Sequence, residues 1–88
     1  MADNVYNYIQ KFWETERQIL ITYHSDHMST VTTFSDFECR RYGTRIEVFD
    51  DRCCNCFDCE DFDRVTIIEE DGTCVLETDD CYLEISRV

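Results

Sequence analysis

The residues with the most chemistry in this chain stand between Asp50 and Asp63, "DDRCCNCFDCEDFD": four cysteines and six carboxylates, with one arginine among fourteen positions. Thiolates ligate soft and borderline metals, exchange disulfides and attack electrophiles, so spacing and surroundings decide which of these is open. Cys56-x2-Cys59 has the spacing of one edge of a zinc tetrahedron, and Cys74 with Cys81 would have to supply the other. Six residues separate that second pair, where a zinc ribbon repeats the two-residue spacing. A redox C-x2-C needs a thiolate, and here Arg52 is the one local cation while the neighbouring acids raise thiol pKa values. The full set of seven cysteines (39, 53, 54, 56, 59, 74, 81) is odd in number. Free thiols, packed or in loops, and no bound cofactor are therefore expected, with a zinc module as the alternative. Cys39 and Cys74 fall in strand patterns and read as small core residues.

His24-Ser25-Asp26-His27 offers an H-x2-H with a carboxylate, but it falls where a turn is expected and reads as ordinary polar loop. The acids of 58–71 miss the D-x-[DN]-x-[DN]-G register of a calcium loop, and no G-x-S-x-G, P-loop or dinucleotide fingerprint occurs. No nucleophile and base stand in a recognisable pattern, so the chain reads as a non-enzyme.

The elements that must position these residues are legible from periodicity. Val5, Tyr8, Ile9, Phe12 and Glu16 recur at helical spacing, with Asp3 as a candidate cap, which predicts a helix over 3–16. "RQILITYH" and "MSTVTTF" flank "HSDH" as antiparallel strands, and "DFECRRY" with "RIEVFDD" flanks "GT" as a second hairpin. Asp71-Gly72, between "RVTIIEE" and "TCVLET", predicts a two-residue type I′ turn with Glu70 opposite Thr73 and Ile68 opposite Val75. A further turn at Asp79-Asp80 puts Tyr82 opposite Glu77, Leu83 opposite Leu76 and Glu84 opposite Val75. One face of this meander then carries Val65, Ile67, Cys74, Leu76, Leu83 and Ile85, a core face for the helix. The other carries Thr66, Ile68, Glu70, Val75, Glu77, Tyr82 and Glu84. The expected fold is a single α+β domain over 1–88, with an N-terminal helix on a mostly antiparallel sheet of five or six strands. The Asp50–Asp63 stretch is expected to be an acidic loop between "RIEVF" and the meander.

Eighty-eight residues, 43% of them hydrophobic, allow one core and little room for a deep substrate cavity. No run of about 18 apolar residues occurs, and the N-terminus lacks a signal-peptide pattern, so a cytoplasmic protein without a membrane partner is expected. The net charge of −12 repels nucleic acid and anionic lipid and points to a basic partner. That charge is lopsided. Residues 1–46 hold six acids and five bases, whereas residues 47–88 hold fourteen acids and three bases.

An acidic half on a foldable meander suggests a working surface made of Asp50, Asp51, Asp58, Glu60, Asp61, Asp63, Glu70, Asp71, Glu77, Asp79, Asp80 and Glu84, with Tyr82 among them. Such a carboxylate array can occupy a groove built for the phosphates of duplex DNA. In size, charge and compactness the chain resembles the small acidic phage-encoded inhibitors that include anti-CRISPR proteins and anti-restriction DNA mimics. The resemblance rests on no residue motif. It implies a basic nucleic-acid-processing protein as partner, such as a Cas nuclease, met at the groove that reads the PAM or at the guide and target channel. An immunity protein or antitoxin of a nuclease toxin satisfies the same physics and is the other reading of the partner.

Overall fold

A computed structural model describes residues 2–68 and 70–88. Among the described residues one helix, α1 (Ala2–Thr15), precedes eight strands: β1 (Gln18–Ser25), β2 (Ser29–Ser35), β3 (Glu38–Tyr42), β4 (Arg45–Phe49), β5 (Cys54–Asp58), β6 (Arg64–Ile68), β7 (Thr73–Glu77) and β8 (Cys81–Ser86). The expected α+β architecture with a leading helix is present. The strands form two antiparallel sheets, one in the order β2-β1-β8-β7-β6 and one in the order β3-β4-β5.

The helix buries Val5, Tyr8, Ile9 and Phe12 of the stripe read from the sequence, together with Ala2, against both sheets, while Glu16, the last residue of that stripe, lies exposed just past the helix end. It starts one residue earlier than expected, so Asp3 lies in the first turn and pairs with Arg41 in place of capping. At its other end the amides of Glu16 and Arg17 both donate to the Phe12 carbonyl (3.0 and 2.8 Å). Arg17 takes a positive φ of 55°, a conformation that favours glycine, while its guanidinium lies 4.6 Å from the centre of the Trp13 ring.

The core joins Ile19, Ile21, Phe34, Cys74, Leu76, Leu83 and Ile85 of the five-stranded sheet to Ile46, Val48 and Phe57 of the smaller one, with Phe37, Cys59 and Phe62 from the connections. Among the described residues no polar or charged side chain is buried. The chain passes between the sheets at Asp36-Phe37. There Asp36 has φ 52° and donates its amide to the Arg17 carbonyl (2.7 Å), and Phe37 is fully buried.

Two sequence expectations need correction. The β6–β7 pairing is displaced by two residues, with Ile68 opposite Thr73 and Thr66 opposite Val75. A type I′ turn needs positive φ at both central residues, and of Asp71 and Gly72 only Gly72 has it (64°), so the strands close over a wider connection between Ile68 and Thr73. Because the displacement is an even number, Val65, Thr66, Ile67 and Ile68 keep their expected faces, while Glu70, expected opposite Thr73, falls in the connection. Secondly, the stretch at Asp50–Asp63 is not all loop: Cys54–Asp58 is a strand paired with β4, followed by a short 3-10 turn at Cys59–Asp61. The β7–β8 register matches the expected one at Glu77–Tyr82, Leu76–Leu83 and Val75–Glu84.

Candidate interaction surface

The outer face of the five-stranded sheet is set by strand pairing. Ser29, His24, Tyr82, Glu77 and Arg64 form one row across it, and Val31, Thr22, Glu84, Val75 and Thr66 form the next. Glu77 and Glu84 are the diagonal neighbours expected of them, but Arg64 Nε stands 3.6 Å from Glu77 and offsets its charge. Tyr82 stacks on His24 with ring centres 5.4 Å apart. Val31 (65% exposed) and Ile68 (43%) leave apolar surface open at the two edges. The face is mixed, as expected: Glu77 and Glu84 are on it, while Glu70, expected there too, lies beyond the paired residues, and the remaining acids of the chain's second half are elsewhere.

Most of them sit at the ends of the strands, and the antiparallel ladders divide them into two groups. At one end the β6–β7 connection carries Glu70 and Asp71, while Asp50 and Asp51 stand beside the end of β2. Asp50 is a structural residue. Its carboxylate accepts from the amides of Arg52 and Cys53 (2.8 Å each) and Ser35 (3.2 Å), tying the β4–β5 turn to the larger sheet. These donors, led by Arg52, hold its pKa below the usual 3.8.

At the opposite end the β7–β8 turn (Asp79, Asp80), the β1–β2 turn (Asp26) and the start of β6 (Asp63) are neighbours through the pairings of Ser25 with Cys81 and of the Asp63 amide with the Glu77 carbonyl. The 3-10 turn brings Asp58, Glu60 and Asp61 to the same end. Asp58 accepts from Thr44 Oγ1 (2.7 Å) and the Glu60 amide (3.0 Å), and these bonds, Thr44 first, lower its pKa. The cations nearby are engaged: Arg64 lies 3.6 Å from Asp79 as well as from Glu77, and Arg41 pairs with Asp3. Glu60, Asp61, Asp63 and Asp80 are exposed, and among the described residues their carboxylates have no partner. Beside them a cleft opens between the β1–β2 hairpin and β5, with Tyr23, Met28, Phe57 and Phe62 as apolar walls and Asp58 and Asp61 at its rim.

The thiols separate by depth. Cys59 and Cys74 are buried and Cys39 is half-buried. Burial pushes the Cys39 and Cys74 thiols up to about 12 and raises Cys59. Cys81 contacts Thr78 Oγ1 at 3.4 Å. Cys53, Cys54 and Cys56 are exposed, and Arg45 Nε donates to Cys56 Sγ at 2.8 Å. Cys56 therefore faces solvent while Cys59 faces the core, which takes apart the C-x2-C edge of the zinc alternative. Among the described residues no three His, Cys, Asp or Glu side chains are grouped to hold a metal ion. His24 belongs to β1 and His27 to the turn, where Ser25 Oγ accepts from the amides of His27 and Met28.

The clustering of acids at one end was not separable in the sequence from the acids at the other. The signal that bears on it is the pairing of turns: in antiparallel sheets, alternate turns share an end. Comparisons with protein-family models, with curated proteins and with solved structures find no match for this chain. Among the described residues no helix is long and apolar enough to cross a membrane.

Proposed function

We propose that the protein is a non-catalytic acidic inhibitor that binds the basic nucleic-acid-binding groove of a nuclease or CRISPR effector and competes there with DNA or RNA. The observation that carries this reading is the end of the sheet where Glu60, Asp61, Asp63 and Asp80 stand exposed and, among the described residues, unpaired, with Asp61 lining an apolar cleft. Carboxylates held on turns of a packed sheet present charge without the ordering cost of a flexible acidic tail. A groove lined by Lys and Arg for phosphates offers the complementary surface, and the cleft accepts an arginine whose guanidinium reaches Asp58 or Asp61 while its methylenes lie on Phe57 and Phe62. The site of action in this reading is the cytoplasm of a phage-infected cell, and the protein needs no cofactor.

The test begins with affinity capture from cell extract and intact-mass identification of the bound protein, which separates a CRISPR or restriction effector from a toxin nuclease. With that partner, replacing Glu60, Asp61, Asp63 and Asp80 by Gln or Asn should slow association about 10-fold or more at low salt and flatten its salt dependence. The same treatment of Glu14, Glu70 and Asp71 at the other end should change association much less. Equal effects of the two sets, or binding insensitive to salt, would refute the reading.

A further inference from the structure

The zinc alternative joined Cys56 to Cys59, but the strand joins Cys56 to a different partner. In β5, side chains alternate, so Cys54 and Cys56 project to one face while Asn55 and buried Phe57 project to the other. The pairing with β4 puts Cys54 opposite Phe49 and Cys56 opposite Glu47. Both thiols are exposed, so that face of β5 is open to solvent at the pair. Arg45 Nε, 2.8 Å from Cys56 Sγ, places a guanidinium beside the sulfur on that face.

Separation decides what two such thiols can do together. Two strand rises put their Cα atoms about 6.6 Å apart, and the parallel Cβ atoms about as far. A disulfide needs Cβ atoms at about 3.5–4.5 Å, so the extended strand excludes a bond within the pair. A linear S–M–S unit with metal–sulfur bonds of about 2.3 Å, the length found for zinc thiolates, spans about 4.6 Å. Turning both side chains toward each other along the strand would bring the sulfurs within that span on an unchanged backbone. Ions that accept two ligands in a line and prefer thiolate are the soft monovalent ones, of which Cu(I) is the biological example.

We infer that Cys54 and Cys56 form a two-coordinate site for a soft monovalent cation of the Cu(I) class on the exposed face of β5. Binding exchanges two thiol protons, released to buffer, for one cation held by two thiolates, with no change of oxidation state. Cys56 also lines the cleft beside the acidic end, so the site adjoins the surface proposed for the partner, while its metal chemistry does not depend on that reading.

The experiment is an anaerobic titration of the reduced chain with Cu(I) held by bicinchoninate as competitor, followed by alkylation and peptide mass mapping. Wild type should withdraw about one Cu(I) per chain, and one equivalent should protect Cys54 and Cys56 together from alkylation. Cys54→Ser and Cys56→Ser should each weaken binding at least 10-fold, while Cys53→Ser and Cys81→Ser stay within about two-fold. Both decisive substitutions are on the surface, and unchanged thermal melting of the variants assigns the loss to the site. Wild-type affinity in the Cys54→Ser/Cys56→Ser double variant, or protection of Cys53 with Cys54 in place of the same-face pair, would overturn the inference.

Discussion

Phe37 is the side chain on which the joining of the two sheets can be tested most directly. It lies in no strand, follows Asp36 at the point where the chain leaves β2 for β3, and is fully buried among residues of both sheets and the helix. Truncation to alanine removes a ring from a site that the surrounding strands cannot collapse to fill, a change that costs about 3–5 kcal/mol in comparable cores. A chain of 88 residues at about 0.05–0.15 kcal/mol per residue has about 4–13 kcal/mol in all. Phe37→Ala is therefore expected to remove a large fraction of the stability and to lower the melting temperature by about 12 °C or more. Phe37→Leu keeps most of the volume and should cost about 1–2 kcal/mol, so the pair remains informative if the alanine variant fails to fold. Urea unfolding followed by tryptophan fluorescence from Trp13 and by far-UV circular dichroism measures both. A Phe37→Ala unfolding free energy within about 1 kcal/mol of wild type, with an unchanged denaturant slope, would show that Phe37 does not bridge the sheets.

Two further expectations test the surroundings of the candidate sites. In the folded chain at pH 8, iodoacetamide should modify exposed Cys53 and Cys56 well before Cys39, Cys59 and Cys74, whose burial disfavours the thiolate and blocks access, with Cys54, exposed but with its thiol also raised, between them; mass mapping that finds all seven at one rate contradicts this packing. Asp50 and Asp58 have folded pKa values lowered from 3.8, so they contribute stability above that value, which is lost as pH falls through the folded values. The Asp50→Asn/Asp58→Asn variant should accordingly melt less differently between pH 5 and pH 3 than wild type does, and an identical pH dependence of melting would count against both hydrogen-bond networks.

What the sequence disclosed divides along physical lines. The helix was legible because its buried stripe of Val5, Tyr8, Ile9 and Phe12 obeys one period and nothing in it competes. The meander's faces were legible for the same reason, since alternation survives even the two-residue displacement of β6 on β7. The displacement itself was hidden because Asp-Gly permits a type I′ turn without compelling it. The strand at Cys54–Asp58 was hidden by composition: cysteine and acid mask an alternation that only Phe57 reveals, and its inward face is completed by distant Ile46 and Val48. The division of the acids between two ends depends on which turns share an end, a property of sheet order. That order places β8 between β1 and β7, and no local signal states it.

The position of β8 has a consequence for how the chain comes to be folded. Cys81–Ser86 is the last strand in chain order and the middle one in space, with Ile21 meeting Ile85 on one side and Leu76 meeting Leu83 on the other. Until it has been synthesised, β1–β2 and β6–β7 can close only as separate hairpins, and two-stranded hairpins are marginal in water. Each would present a bare strand edge, that of β1 and that of β7, both bearing apolar residues that the finished sheet covers. During translation the nascent chain thus passes through a stage in which the strands are made but the sheet cannot be. The acids that crowd residues 47–80 give that intermediate a strong like charge, which opposes edge-to-edge association between nascent copies until β8 closes the gap.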